Sequence, residues 1–94
     1  METDLRQITS IVTGRVQGVG YRASVKKKAV ELGLAGWVSN QLDGSVHCLV
    51  QGPADRVDRF ISFLAKGPIL ARVKTVKTEE QLSFEKLVDF RVLK

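Results

Sequence analysis

The sequence has a single cysteine and no long apolar run, and each shortage removes a class of protein. Its 94 residues include only Cys48, so an internal disulfide cannot form and a multi-cysteine metal site cannot be assembled. No apolar run approaches the roughly 20 residues of a membrane span. The acidic start at residues 1–6 is unlike the basic start of a signal peptide. We therefore predict a cytoplasmic protein that binds no membrane and has no multi-cysteine metal site, and we expect no cofactor.

The composition that remains is that of one globular domain. Apolar residues make up 44% of the chain and charged residues 27%, within the usual range for folded proteins. A chain of this length builds one hydrophobic core, so we predict that residues 1–94 form a single domain. The net charge of +5 favours an anionic partner. Nucleic acid, anionic lipid and phosphorylated metabolites all satisfy that charge.

The spacing of apolar residues predicts five strands and two helices. Gly33 follows the first helix as its C-terminal cap, and an Asp-Gly pair at residues 43–44 predicts a hairpin. The polar stretch 77–86 is expected to be an exposed connection. The predicted strands are residues 8–14, 36–41, 45–51, 71–76 and 87–93, and the predicted helices are residues 22–32 and the segment from Gly52-Pro53 to Gly67-Pro68.

The order of these elements is β-α-β-β-α-β with a short extra terminal strand. This order predicts an α+β fold, a ferredoxin-like two-layer sandwich with two helices on one face of an antiparallel sheet. Enzymes, RNA-binding domains and metal chaperones share this arrangement, so the fold alone does not identify a function.

The loop before the first helix is the most informative segment. Gly18 and Gly20 allow the backbone to wrap closely around a small anion, and the helix opens without a capping side chain or an acid. Arg22 lies at the positive end of the helix dipole, which costs roughly 0.3–1 kcal/mol unless an anion compensates. These features favour a phosphate site. A plain strand-to-helix connection with a solvated Arg22 is the alternative.

Residues 14–22, Gly-Arg-Val-Gln-Gly-Val-Gly-Tyr-Arg, resemble the first signature of the acylphosphatase family. Residues 36–40, Gly-Trp-Val-Ser-Asn, with Asp-Gly-Ser-Val at 43–46, are similar to the second signature. Residues 67–73 resemble the family's turn into its fourth strand, and the resemblance extends from Ile8 to the C-terminus. It implies an enzyme that hydrolyses a carboxyl–phosphate mixed anhydride to a carboxylate and inorganic phosphate without a metal.

The resemblance also implies roles for individual residues. Arg22 would bind the phosphate, and Asn40 would orient the attacking water, although spacing alone makes Asn40 an ordinary polar residue beside a turn. A carboxylate leaves readily, so the reaction needs in-line water and charge stabilisation rather than a general acid. Tyr21 and Ser39 stand where phenylalanine and a basic residue are commoner in the family. The expected phosphate-binding residues are Arg15, Val16, Gln17, Gly18, Val19, Gly20, Tyr21 and Arg22, and the expected catalytic residues are Arg22 and Asn40.

The other chemically distinctive residues are expected to be structural. His47 is expected to be an exposed residue of the sheet rather than a base, and Cys48 a buried, inert thiol. The lysines at 26–28 are expected to form a solvated helix face. Trp37 and Phe60 are expected to serve packing.

A nonenzymatic ferredoxin-like module that binds RNA or a phosphate ligand is the second functional hypothesis. RNA-recognition domains stack bases on aromatic residues of their central strands, and residues 8–14 and 45–51 contain none. We therefore expect no nucleic-acid partner. A domain of a larger protein is a third interpretation, which the start at Met1 and the end at Lys94 disfavour. The expected protein is a monomer whose partners are a small-molecule acyl phosphate and inorganic phosphate.

Overall fold

The computed structural model describes residues 5–93, so residues 1–4, on which the prediction about a signal peptide largely rests, lie outside it. Strands and helices follow one another in the predicted order. None of the described helices is long and apolar enough to cross a membrane. The elements are β1 (Leu5–Arg15), α1 (Tyr21–Glu31), β2 (Ala35–Asn40), β3 (Val46–Pro53), α2 (Ala54–Lys66), β4 (Arg72–Gln81) and β5 (Phe90–Val92).

β1 lies inside a five-stranded sheet with the strand order β4-β1-β3-β2-β5. It is antiparallel to both β3 and β4, and β2 is antiparallel to β3. β5 is parallel to β2, with Gly36 opposite Phe90 and Val38 opposite Val92. The predicted ferredoxin-like arrangement is confirmed, and the terminal strand makes the sheet mixed rather than wholly antiparallel. The cause is the segment 82–89, which carries the chain from one edge of the sheet to the other before β5 begins.

The two edge strands differ in length from the prediction. β4 continues to Gln81, which lies opposite Gln7 of β1, so the expectation that the connection begins at residue 77 is wrong. An edge strand pairs on one side only and tolerates charged side chains. Because β4 contains several lysines and glutamates, its last residues do not show the apolar alternation that indicates a strand. The predicted exposure of residues 77–86 is largely confirmed. β5 includes only Phe90–Val92 of the predicted strand 87–93.

The core lies between the helical layer and one face of the sheet. Apolar residues at alternate strand positions meet the buried faces of both helices there. The ring centroid of Phe60 in α2 lies 6.0 Å from that of Phe90 in β5, so these two rings meet in the core. The helical residues buried in this core are Tyr21, Val25, Ala29, Val57, Phe60 and Leu64.

One end of the sheet gathers the loops that concern function. β1 and β2 run in the same direction, because each is antiparallel to β3. Their C-terminal ends, Arg15 and Asn40, therefore lie at the same end of the sheet. The β1–α1 loop meets the β2–β3 turn there, and α1 begins at this junction.

Candidate active site

The N-terminus of α1 lacks the usual cap. Gly20 occupies the cap position, no side chain forms a capping hydrogen bond there, and the first turn contains no acid. The Ser24 N–H donates to the Gly20 carbonyl over 3.1 Å and closes the first turn. The N–H groups before Ser24 have no preceding helical carbonyl to bind. They form a region of positive partial charge that suits an anion.

Gly18 and Gly20 set the shape of the loop that leads into this helix. Their φ angles are 74° and 78°, a left-handed conformation that other residues resist. A Cβ atom at either position would meet no atom of the described residues 5–93 within 4 Å. The backbone conformation therefore requires glycine here, and the space in front of the loop stays open.

The other residues of this loop contact the rest of the fold and hold the loop in place. Val16 is buried in the core, and the Gln17 side-chain amide donates to two carbonyls of the β2–β3 turn. Tyr21 is buried, and its hydroxyl donates to the Leu64 carbonyl of α2 over 2.7 Å. Burial raises the pKa of the Tyr21 hydroxyl, so it keeps its proton, and this hydrogen bond, to a higher pH than an exposed tyrosine would. These contacts fix the loop before any ligand arrives.

A cleft of about 280 Å³ lies in front of the loop. The loop, α1, β2 and β5 all contribute to it, the last two through Asn40 and Val92. Arg15, Gln17 and Val19 do not line it: Arg15 is exposed at the end of β1, and Val19 packs against the core. The predicted site residues that the structure brings together around the cleft are Val16, Gly18, Gly20, Tyr21, Arg22 and Asn40.

Arg22 enters the cleft from the first turn of α1. Its Nη1 donates to the Leu93 carbonyl over 2.9 Å, which fixes one side of the guanidinium. The guanidinium has further N–H donors for an anion in the cleft. The sequence alone does not identify Val92 and Leu93 as neighbours of this arginine, because apolar alternation identifies a strand without identifying the strand that it pairs with.

Asn40 is the last residue of β2, and it lines the cleft together with residues of the loop. Its Oδ1 atom is buried and has no hydrogen-bond partner in the described part of the chain. An unsatisfied buried acceptor costs about 1–3 kcal/mol, so this position suits a bound water or ligand that donates to it. An amide oxygen accepts a hydrogen bond from water without removing its proton.

Other distinctive residues lie away from the cleft. Cys48 is 2% exposed, which confirms its predicted burial, and burial raises the pKa of its thiol. Lys28 pairs with Glu31 at 3.4 Å, and its ammonium lies 5.4 Å from the centroid of the Phe63 ring. His47 is half-exposed in β3. Residues 5–93 contain no group of three or more His, Cys, Asp or Glu side chains that could hold a metal ion.

A larger cavity of about 700 Å³ lies near the opposite end of α1. Val30 of α1 and apolar side chains from residues 84–90 line it, together with Lys26 and Lys86. None of the predicted site residues lines this cavity. We place the chemistry in the smaller cleft, because a helix N-terminus, an arginine and an unpartnered amide oxygen meet there.

Comparison with known proteins gives one consistent result. The model of the family described as Acylphosphatase matches residues 8–92. A protein named acylphosphatase from Methylococcus capsulatus is 42% identical over 90 residues, which cover 96% of this chain and 98% of that protein. An acylphosphatase from Thermus thermophilus is 47% identical over 73 residues, 78% of this chain and 83% of that protein.

Solved structures agree. The structure of an acylphosphatase from Coxiella burnetii has a TM-score of 0.90 at 41% identity and covers 96% of this chain and 94% of that chain. The crystal structure of acylphosphatase from Bacillus subtilis has a TM-score of 0.92 at 36% identity, with 97% of this chain and all of that chain covered. Full-length HypF matches over 12% of its chain at 23% identity, with a TM-score of 0.90, and shares the fold.

Proposed function

The chain belongs to the acylphosphatase family, and we propose from that premise that the cleft between α1 and β2 is where it hydrolyses acyl phosphates. The products are a carboxylate and inorganic phosphate. Gly18, Gly20, Arg22 and Asn40 support this assignment, because they face one cleft from three different elements. The observation that carries most weight is the buried Oδ1 of Asn40, which has no partner within residues 5–93.

We assign phosphate binding to the loop backbone and to Arg22. The N–H groups at the start of α1 point toward the cleft end of the helix, and phosphate oxygens accept hydrogen bonds from such groups. The guanidinium of Arg22 adds a positive charge with a fork geometry that matches two phosphate oxygens. As negative charge shifts during transfer, these fixed donors stabilise it without rearranging.

We assign the orientation of water to Asn40. Its Oδ1 accepts a hydrogen bond from a water molecule and so turns the water's lone pair toward phosphorus. The water oxygen forms a bond to phosphorus, the bond between phosphorus and the acyl oxygen breaks, and the acyl group leaves as a carboxylate. The water's proton passes to a phosphate oxygen. Such a reaction depends on position and charge rather than on a strong base.

We further propose that the protein works as a monomer on a small acyl phosphate, in the cytoplasm and without nucleic acid. One chain supplies every residue assigned to the cleft. The free thiol of Cys48 fits a reducing compartment. Sedimentation analysis, with and without phosphate, checks the monomeric state.

Release of phosphate from a simple acyl phosphate such as acetyl phosphate, in the presence of excess chelator, tests the function. Because Arg22 and backbone donors supply the positive charge in this proposal, we expect turnover to persist after exhaustive chelation. Activity that disappears with chelator and returns with magnesium or zinc would contradict the assignment. Phosphate binding without any turnover would favour a nonenzymatic phosphate-binding module.

A further inference from the structure

The loop between β1 and α1, residues 16–20, is called the phosphate loop below. The side chain of Gln17 extends from this loop to the turn between β2 and β3. Its Nε2 atom lies 2.8 Å from the carbonyl oxygen of Gln41 and 3.0 Å from that of Ser45. Two carbonyl oxygens are acceptors only, so the NH₂ end of the amide must face them, and both of its protons are used. Gln17 does not line the cleft, and with both protons on these carbonyls its amide has no N–H left to donate to a bound anion.

The two acceptors define the turn that follows Asn40. The Gln41 carbonyl also accepts from the Gly44 N–H at 3.1 Å, and the Ser45 carbonyl accepts from the Gln41 N–H at 2.9 Å. Gln17 therefore contacts a turn that is already closed by hydrogen bonds within the turn's own backbone. The turn does not need the Gln17 amide in order to form. The amide instead sets the position of the phosphate loop relative to that turn.

Asn40 is the residue whose position this bridge determines. It immediately precedes Gln41, and its Oδ1 has no partner in the described residues that would orient it independently. Its orientation relative to the phosphate then depends on the backbone on either side of the cleft. On one side is the loop, and on the other is the end of β2.

We propose that Gln17 is a positioning residue for hydrolysis: its amide fixes the distance between the phosphate loop and Asn40, so that the oriented water stands in line with the acyl–phosphate bond. This inference rests on the proposed function. It assigns the Gln17 side chain a role in turnover and none in phosphate affinity, because the loop's donors are backbone groups that Val16 and Tyr21 also hold in place.

Gln17→Met tests the proposal, since methionine keeps the length of the side chain and removes both N–H donors. We expect kcat to fall about tenfold, as misplacement of a reacting group does, with inhibition by phosphate unchanged. In an Asn40→Ala background the same substitution should change kcat less than about twofold, because the residue that it positions is already absent. Gln51→Met is the matched control: its amide contacts Gln7 and the backbone of Glu85 and Leu87 at the other end of the sheet, and kcat should not change.

Two results would overturn the proposal. One is a tenfold fall in kcat when Gln17→Met is added to Asn40→Ala, and the other is wild-type kcat in Gln17→Met alone. If Gln17→Met does not fold, Gln17→Asn decides, because asparagine keeps the amide and is one methylene shorter, so it cannot hold the turn at the same distance. This variant should also lower kcat with phosphate inhibition unchanged, and wild-type kcat in it would overturn the proposal. A wild-type protein without hydrolytic activity would instead contradict the proposed function.

Discussion

Arg22 and Asn40 reach the cleft from different elements and differ in charge, so their loss has different consequences. Arg22 carries a permanent positive charge and is held on one side by the Leu93 carbonyl. Asn40 is neutral, and its buried Oδ1 has no donor within the described chain. A charge that contacts phosphate acts on bound substrate and transition state alike, whereas an oriented water acts as attack begins.

Replacement of Arg22 should weaken binding and turnover together. Arg22→Ala is expected to raise the inhibition constant of phosphate and to lower kcat/KM by a factor of order 10², because a positioned charged donor is lost. Arg22→Lys should recover little, since an ammonium cannot form the two-pronged contact. Steady-state kinetics with phosphate as competitive inhibitor measures both quantities. A lysine variant with wild-type kinetics would show that only the charge matters.

Replacement of Asn40 should affect turnover alone. Asn40→Ala removes the acceptor for water and is expected to lower kcat by about 10² or more while phosphate inhibition stays nearly unchanged. The same inhibition assay serves as the control, because it does not involve attack by water. Full turnover in Asn40→Ala would remove the basis for assigning it the water.

Tyr21→Phe should show how much the hydroxyl that holds the phosphate loop to α2 contributes to stability. Loss of its hydrogen bond to the Leu64 carbonyl should lower the free energy of unfolding by about 1–2 kcal/mol near neutral pH. The raised pKa of Tyr21 in the folded protein means that this stabilisation is complete below the pKa of about 10 in the unfolded chain and declines above it.

Wild-type protein should therefore lose stability relative to Tyr21→Phe above about pH 10, by up to about 1.4 kcal/mol per pH unit. Tyr21 is the only tyrosine, so the difference between the two proteins separates this group, together with its interaction with Cys48, from the lysines. Urea unfolding across this pH range measures it. A constant difference between the two proteins would mean that the hydroxyl is not buried as described.

Elements with local signals could be predicted from the sequence, and those defined by distant partners could not. The cap at Gly33 is confirmed by hydrogen bonds across the end of α1, and the hairpin around Asp43 depends on residues adjacent in the chain. The extension of β4 to Gln81 and the parallel pairing of β5 depend on strands far away in the sequence. Asn40 entered through family resemblance, and only the structure shows its buried, unpartnered oxygen.

Valine at Gly18 or Gly20 should damage binding before it damages the fold. Both positions have positive φ and open space in front, so a β-branched side chain strains the backbone by about 1–3 kcal/mol and occupies the phosphate position. Phosphate should raise the Tm of these variants much less than that of the wild type. Thermal unfolding with and without phosphate, beside the hydrolysis assay, measures this loss.

Gly33→Val is the matched control for the loop glycines. Gly33 also has positive φ, and the nearest atom to an added Cβ is the tip of the flexible Arg56 side chain at 3.2 Å. It lies at the opposite end of α1 from the cleft, so this variant should lose comparable stability and retain the phosphate-induced rise in Tm. Equal loss of the phosphate effect in all three variants would mean that strain in α1, rather than the loop, abolishes binding.

In the folded molecule the single thiol is buried, and solvent reaches it only when strands of the sheet come apart. Cys48 lies in β3, which pairs with β1 on one side and β2 on the other, and the residue faces the core. Central strands of this kind open mainly by global unfolding. Reaction of the thiol therefore reports on the stability of the entire fold.

Thiol labelling of Cys48 should be slow in the native protein and slower still with phosphate. Phosphate binds the folded state preferentially, so at about ten times its Kd the labelling rate should fall roughly tenfold when closing outpaces the reagent. Arg22→Ala should show little such protection at the same concentration. Fast labelling of the wild type, unaffected by phosphate, would show local opening of β3 instead.

The bond between Arg22 and the Leu93 carbonyl has a consequence for the order in which a ribosome makes this chain. The loop, α1 and the Asn40 hairpin lie in the first half of the sequence, whereas Leu93 follows β5 near its end. Synthesis runs from the N-terminus, so a nascent chain contains the phosphate loop before it contains the strand that steadies its arginine. We expect a partly translated chain to be inert toward acyl phosphates, with hydrolysis beginning once β5 has docked beside β2.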